Sequence, residues 1–300
     1  MDVLHHSGTL DRHLWIFFLL PVVLGLLWPQ GGLVFTPYAL PLLFAVMTVS
    51  LLDVPLQQSI KSGLNRKAPL VLAIQYGLSG LLAWFVAPFF PPELFVGFIL
   101  AAVAPSGISV PAMVDLYGGN KAIATSLTLL SHMLAPVFMP LLVLLLAGQK
   151  VPVDAFGLFQ TVAVVIFLPM IIVFLLKQTG WATKVAPYRK QANLVLMTVL
   201  VWGQTAPIAD YFYDNPLESL ALFSVLLAMA GVLFFVGWNM SNKREDRMAY
   251  TTLSYLKNNS LSIVLLSQFF GPLAASVAVV QVVSGRVMAS LAAYAFRQKK

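Results

Sequence analysis

The chain has 300 residues, of which 59% are hydrophobic and 10% charged, a balance that excludes an ordinary soluble domain and points to a polytopic membrane protein. It has no cysteine, which excludes disulfide frameworks, thiolate nucleophiles and Cys-ligated metal centres. The formal charge of +7 comes from basic residues scattered through short loops, so a nucleic-acid partner is not expected.

Each membrane crossing needs roughly 17–25 mainly apolar residues, and turn or charge clusters divide the chain into ten predicted spans. Five cover residues 14–27, 36–52, 68–90, 93–117 and 122–147. The other five cover residues 153–176, 191–208, 217–240, 248–270 and 273–296. No small-residue cleavage site accompanies the first apolar run, 14–28, so it is read as the start of the first span and not as a signal peptide. Residues 1–150 and 151–300 then hold five spans each. Five is odd, so a repeated half enters the membrane in the opposite sense, which is the inverted-repeat arrangement of many carriers.

Two polar interruptions organise these halves. Ala104-Pro105-Ser106-Gly107-Ile108-Ser109-Val110-Pro111 cuts the fourth span, and Tyr255-Leu256-Lys257-Asn258-Asn259-Ser260-Leu261 cuts the ninth. A helix broken at membrane depth frees N–H and C=O groups that each cost several kcal/mol if left in lipid. Such breaks survive inside protein or beside a watery cavity, and paired breaks in matching positions predict a binding site.

With the N-terminus cytoplasmic, fifteen cations, among them Arg12, Lys61, Arg66, Lys299 and Lys300, fall inside and only Lys150 falls in an outer loop. The outer connection between the seventh and eighth spans carries Asp210 and Asp214. The positive-inside rule therefore places both termini in the cytoplasm, and an inner (plasma) membrane location is expected.

Lys257 and Arg286 are the two cations inside predicted spans. A lysine at the bilayer centre costs at least a few kcal/mol. It calls for proton loss, a protein anion or an anionic substrate, and the acids considered, Asp53 and Asp115, sit at span ends. Arg286 stands eleven residues before Arg297, roughly 16 Å of helix. Its guanidinium suits a bidentate carboxylate pair, so it is expected to anchor substrate or to lock the core. His132 shares a helical face with Lys121, Thr125 and Thr128, a stripe expected to be buried against protein and not lipid, and is read as an interhelical hydrogen bonder or a proton relay. Ser106, Ser109, Asn258, Asn259 and Ser260 add hydroxyls and amides, and the helix N-termini after the breaks favour anions. Gln204 and Thr205 are read as lining a cleft or as interfacial. There is no His-Glu-x-x-His motif and no phosphate-binding glycine loop, so an enzyme is not expected. Asn258-Asn259-Ser260 matches the glycosylation pattern, but a stretch inside the membrane is no acceptor.

The stretch 105–140, with Gly107, Gly119-Asn120, Thr128, Ser131 and Ala135-Pro136, resembles the fourth and fifth helices of the bile acid:sodium symporter family. That family has a Pro-Gly-Gly-Thr-Ala-Ser-Asn-like crossover there, then Gly-Asn, then Thr and Ser on the next helix. Residues 254–260 fall at its Glu-Val-Gly-Met-Gln-Asn-Ser-like second crossover, with Ser254 at the glutamate and Lys257 at the methionine, and Gln75 fits its third-helix glutamine. The resemblance implies an all-α membrane protein of ten helices as two inverted five-helix repeats, with discontinuous helices four and nine crossing each other. Helices one, two, six and seven would form a panel domain and helices three to five and eight to ten a core domain. In the family the crossovers bind two sodium ions and face an organic anion held between the domains. Here Pro111 replaces the crossover asparagine, Val110 the adjacent serine and Ser254 the glutamate.

Gln75, Thr128 and Asn258 keep three of the oxygens a hard cation requires, which is a vestigial sodium site and no confident metal centre. The expected function is secondary active transport of a small organic anion, bile-acid-like or a short carboxylate, by alternating access. Sodium independence is expected, with the Lys257 ammonium replacing a sodium ion. Alternatives are a sodium-coupled symporter that keeps one site, and an intramembrane enzyme or channel on the same fold. Lys257, Asn258, Asn259, Ser254, Ser106, Ser109, Pro111, Gln75, Thr128, His132 and Arg286 are the candidate binding residues. No cofactor is expected, Na+ or H+ is the candidate coupling ion, and the partners are the organic anion and membrane lipids.

Overall fold

Long apolar runs with few internal breakers satisfy their own backbone groups as helices, and helices make up almost all of the computed structural model. It describes residues 14–52, 54 and 66–297, and among these there is no β-strand beyond one isolated residue-pair bridge. The predicted placements of Arg12, Asp53, Lys61, Lys299 and Lys300 lie outside the described residues.

The helices are α1 (Leu14–Leu27), α2 (Ala39–Leu51), α3 (Ala68–Phe89), α4 (Pro92–Ala102), α5 (Val110–Leu116) and α6 (Lys121–Ala147). They continue as α7 (Ala155–Gln178), α8 (Arg189–Thr205), α9 (Pro216–Trp238), α10 (Arg244–Tyr255), α11 (Asn259–Phe270) and α12 (Pro272–Arg297). Among the described residues, six stretches are long and apolar enough to cross a membrane: Ala68–Phe89, Lys121–Ala147, Ala155–Gln178, Arg189–Asp214, Pro216–Trp238 and Pro272–Phe296. Thr36–Leu51, α4 and α11 are apolar but shorter. The interrupted fourth span becomes α4 and α5, and the ninth becomes α10 and α11. Helix α10 starts at Arg244, ahead of the expected 248, with Glu245 and Asp246 in its first turn, where acidic side chains complement the helix dipole.

Two groups of helices emerge from the packing. In one, α8 lies against α1 and α2, and α2 against α7. Here the Trp202 indole of α8 rests on Gly31 and Gly32 and donates to the Trp28 carbonyl at 3.1 Å. In the other group, α9 packs on α10 and α12, and α12 also packs on α4 and α11. Helix α6 reaches α4, α5 and α10, so it touches both interrupted helices. The loop after α5 turns at Gly118, whose φ of +74° suits glycine. Asn120 then binds the start of α10, with its N–H on the Glu245 carbonyl at 2.9 Å and its amide on Asp246 at 2.8 Å.

Contact between α4 and α12 is close at Gly97, where an added Cβ would fall 2.5 Å from the Ala274 carbonyl oxygen. Gly97→Ala is therefore expected to destabilise the protein by about 1–3 kcal/mol, as overpacking of a tight interface does, and thermal unfolding in detergent reads the loss.

Candidate functional site

The two breaks meet, and each supplies the backbone partners the other lacks. The Gly107 N–H donates to the Leu256 carbonyl at 2.9 Å, and the Asn258 N–H donates to the Pro105 carbonyl at 2.8 Å. These two bonds form an antiparallel bridge between Ser106 and Lys257. Proline and glycine prevent the first helix from continuing, and the groups so freed are paired in a buried setting, as the hydrocarbon depth requires. Glycine at 107 serves close approach, since a Cβ there would lie 3.1 Å from the Lys257 carbonyl oxygen. Ser106 is fully buried and shares hydrogen bonds with Ser131 Oγ at 3.0 Å and Thr128 Oγ1 at 3.4 Å on α6.

The Lys257 side chain is buried and turns inward. Its amine donates to the backbone carbonyl of Gln75 on α3, within a π-helical stretch, Ala73–Leu78, of the kind that often marks functional segments. Among the described residues no carboxylate lies within ion-pair distance of Lys257. The Gln75 amide donates to the Leu253 carbonyl at 3.0 Å, which ties α3 to the last turn of α10. Its Oε1 is buried and has no hydrogen-bond partner among the described residues.

Asn258 caps α11 by accepting from the Leu261 N–H at 3.3 Å through Oδ1. That bond orients its Nδ2 to His132 Nε2 at 3.1 Å. The ring must accept at Nε2, so Nδ1 carries the proton that goes to the Thr128 carbonyl at 2.8 Å. This assigns a neutral Nδ1–H tautomer from the bonding pattern. Two methionines cover the same corner: Asn258 Nδ2 faces Met47 Sδ of α2 at 3.7 Å, and Ser260 Oγ faces Met197 Sδ of α8 at 3.2 Å.

A family model described as the Sodium Bile acid symporter family matches residues 40–212. The chain belongs to this sodium bile acid symporter family. A bacterial relative, "Uncharacterized protein YbaS" of Bacillus subtilis (strain 168), is 27% identical over 273 residues, covering 86% of this chain and 88% of that protein. Membership makes the chain an integral membrane transporter of a small molecule. The family match includes the first break and Gln75, Thr128 and His132. It ends before the second break, so Lys257 and Asn258 are located by the fold alone.

Of the three residues read as a vestigial sodium site, Thr128 Oγ1 accepts from Ser106 at 3.4 Å and Asn258 Oδ1 from the Leu261 N–H at 3.3 Å. Gln75 Oε1 alone of the three has no partner among the described residues. Ser254 turns its hydroxyl back to the Tyr250 carbonyl of its own helix at 2.8 Å. Pro111 is buried in the first turn of α5, where its missing N–H costs little, and Ser109 precedes that helix without a side-chain cap bond. Asn259 is half-buried at the start of α11. Arg286 is half-buried on α12 within electrostatic reach of Tyr117 and Tyr255. Lys121 leaves the expected buried stripe: it is exposed and pairs with Asp115 at 2.7 Å, while Thr125, Thr128 and His132 are buried. Gln204 is buried with its amide 3.5 Å from the Thr36 carbonyl, and Thr205 is buried against Gly25 of α1.

Sequence reasoning missed Tyr76, whose hydroxyl donates to the Ser131 carbonyl at 2.5 Å, and the covering pair Met47 and Met197. No local signal marks them, since Tyr and Met in an apolar span read as packing. Asn258→Ala removes both the cap and the histidine's partner, and is expected to cost about 1–3 kcal/mol. Asn258→Asp keeps the cap acceptor but sets a buried carboxylate against the His132 Nε2 lone pair, and is expected to cost at least as much by the same thermal measurement.

Proposed function

We propose that this family member is a sodium-independent secondary transporter of a small organic anion, bile-acid-like or a short carboxylate, working by alternating access. The carrying observation is the buried Lys257 amine seated on the Gln75 carbonyl where the two broken helices meet, which this reading takes as the ammonium. A fixed cation at this point supplies the positive charge that a dissociable sodium ion would bring, and it is tethered, so no ion gradient is needed to fill it. Its charge, with the N-terminus of α11, favours an anionic cargo. H+ is the candidate coupling ion in this reading, no cofactor is invoked, and no enzymatic step is assigned.

In this reading the chain forms ten transmembrane helices as two inverted repeats, residues 1–150 and 151–300. The grouping of α8 with α1, α2 and α7 supports a panel domain. The remaining helices, with both breaks, form the core that moves against it. The termini face the cytoplasm at the inner membrane. Ser106, Ser109, Pro111, Ser254, Asn258 and Asn259 shape the crossing, and Arg286 anchors the anion or locks the core beside Tyr117 and Tyr255. One observation favours a second reading: Gln75 Oε1 is buried without a donor among the described residues, which suits a sodium-coupled symporter that keeps one site.

Uptake of labelled carboxylates into proteoliposomes, under imposed sodium, proton or no gradients, separates the two. The expected result is uptake indifferent to sodium, with Lys257→Met lowering it roughly tenfold or more, the worth of a lost charge-assisted hydrogen bond. Uptake that follows the sodium gradient selects the second reading. Arg286→Ala is expected to insert normally and to lose transport, and transport at the wild-type rate would remove Arg286 from the site.

A further inference from the structure

The connection between α7 and α8 joins two stretches long and apolar enough to cross a membrane, Ala155–Gln178 and Arg189–Asp214, so it lies where the bilayer surface meets water. The chain has no acid between Asp154 and Asp210, and the cations of that stretch, Lys177, Lys184, Arg189 and Lys190, all cluster at this connection. Its fold is regular. Gly180, whose φ of +73° suits glycine, turns the chain out of α7 into a short helix, Trp181–Val185, and a 3-10 turn, Ala186–Tyr188. The Thr183 hydroxyl donates back to the Gly180 carbonyl at 2.6 Å. Two of the cations are held inward: Lys177 donates to the Val54 carbonyl at 2.6 Å, and Arg189 is half-buried. Lys184 and Lys190 are exposed, and among the described residues neither pairs with a carboxylate.

Two large rings stand bare beside this charge. Trp181 is 56% exposed and Tyr188 71%, and the Lys184 amine lies over the Trp181 ring, 4.5 Å from its centroid. Rings with one polar edge settle at headgroup level, and lysines at that level draw anionic lipid. An acidic soluble protein could meet the cations, but it would cover the rings only by entering the headgroup layer. We propose that this connection docks an anionic phospholipid, with the headgroup phosphate on Lys184, the upper acyl chain against Trp181 and Tyr188, and Lys190 adding to the attraction. Through Lys177 and Val54 the same connection is tied to the end of α2, so the lipid fixes the group of α2, α7 and α8 to one face of the bilayer. The assignment holds for either face and does not depend on what the chain transports.

The melting temperature of the purified chain in a neutral detergent tests it, with phosphatidylglycerol, phosphatidylcholine or inorganic phosphate added at equal phosphorus. Phosphatidylglycerol is expected to raise the melting temperature by about 2–4 °C, and the other two to leave it unchanged. Salt at about 1 M, which screens exposed charges beyond about 3 Å, is expected to remove most of the rise. Lys184→Gln with Lys190→Gln is expected to melt like wild type without lipid and to lose most of the rise, whereas Arg66→Gln with Lys243→Gln, at exposed cations elsewhere, keeps it. An equal rise with phosphatidylcholine or inorganic phosphate, a rise indifferent to salt, no rise at all, or equal losses in the two double variants would overturn the proposal.

Discussion

Everything at the centre of this protein depends on two backbone hydrogen bonds between segments that cannot be helical. Pro105 and Leu256 offer carbonyls, Gly107 and Asn258 offer N–H groups, and neither segment could leave these groups bare in a lipid-spanning fold. The bridge therefore makes each interruption conditional on the other. It also fixes where Lys257 and Asn258 emerge, one side chain turned to α3 and the other to α6. The polar residues around it are mostly committed to holding this crossing, as Ser106, Thr128 and Ser131 do among themselves.

The family supplies the type of machine, and the crossing supplies what is particular to this chain. At the crossing the Thr128 and Asn258 side-chain oxygens each accept one hydrogen bond, and the Lys257 amine lies on the other side, against the Gln75 carbonyl. Gln75 links the two facts: its carbonyl holds the amine and its amide holds the end of α10, while its own side-chain oxygen stays unpaired among the described residues.

Helix breakers embedded in apolar runs made both interruptions legible in the sequence. Pro105, Gly107 and Pro111 in one and Lys257, Asn258 and Asn259 in the other have no good reason to sit inside a lipid-spanning helix. The helix ends near Gly118, Pro216 and Pro272 were legible for the same reason. The target of Lys257 was not, because it is a backbone carbonyl 182 residues away, and Ala-Ile-Gln-Tyr-Gly-Leu reads as ordinary helix with nothing to announce its wider turn. The inward fold of the Ser254 hydroxyl is equally silent, since serine reads the same whether it bonds its own helix or a neighbour. Lys121 read as part of a buried stripe by spacing alone, yet it begins α6 and escapes to an exposed ion pair. Its position at the helix end outweighs the periodicity.

The thioethers of Met47 and Met197 stand where oxygen acceptors would have been the stronger choice for Asn258 and Ser260. Sulfur accepts weakly and the methionine stem swings through several rotamers. The seam between α11 and the pair α2 and α8 is thus fastened by grease rather than by glue at this corner. Neither sulfur adds much polar stabilisation there, so apolar packing carries most of the contact at this corner.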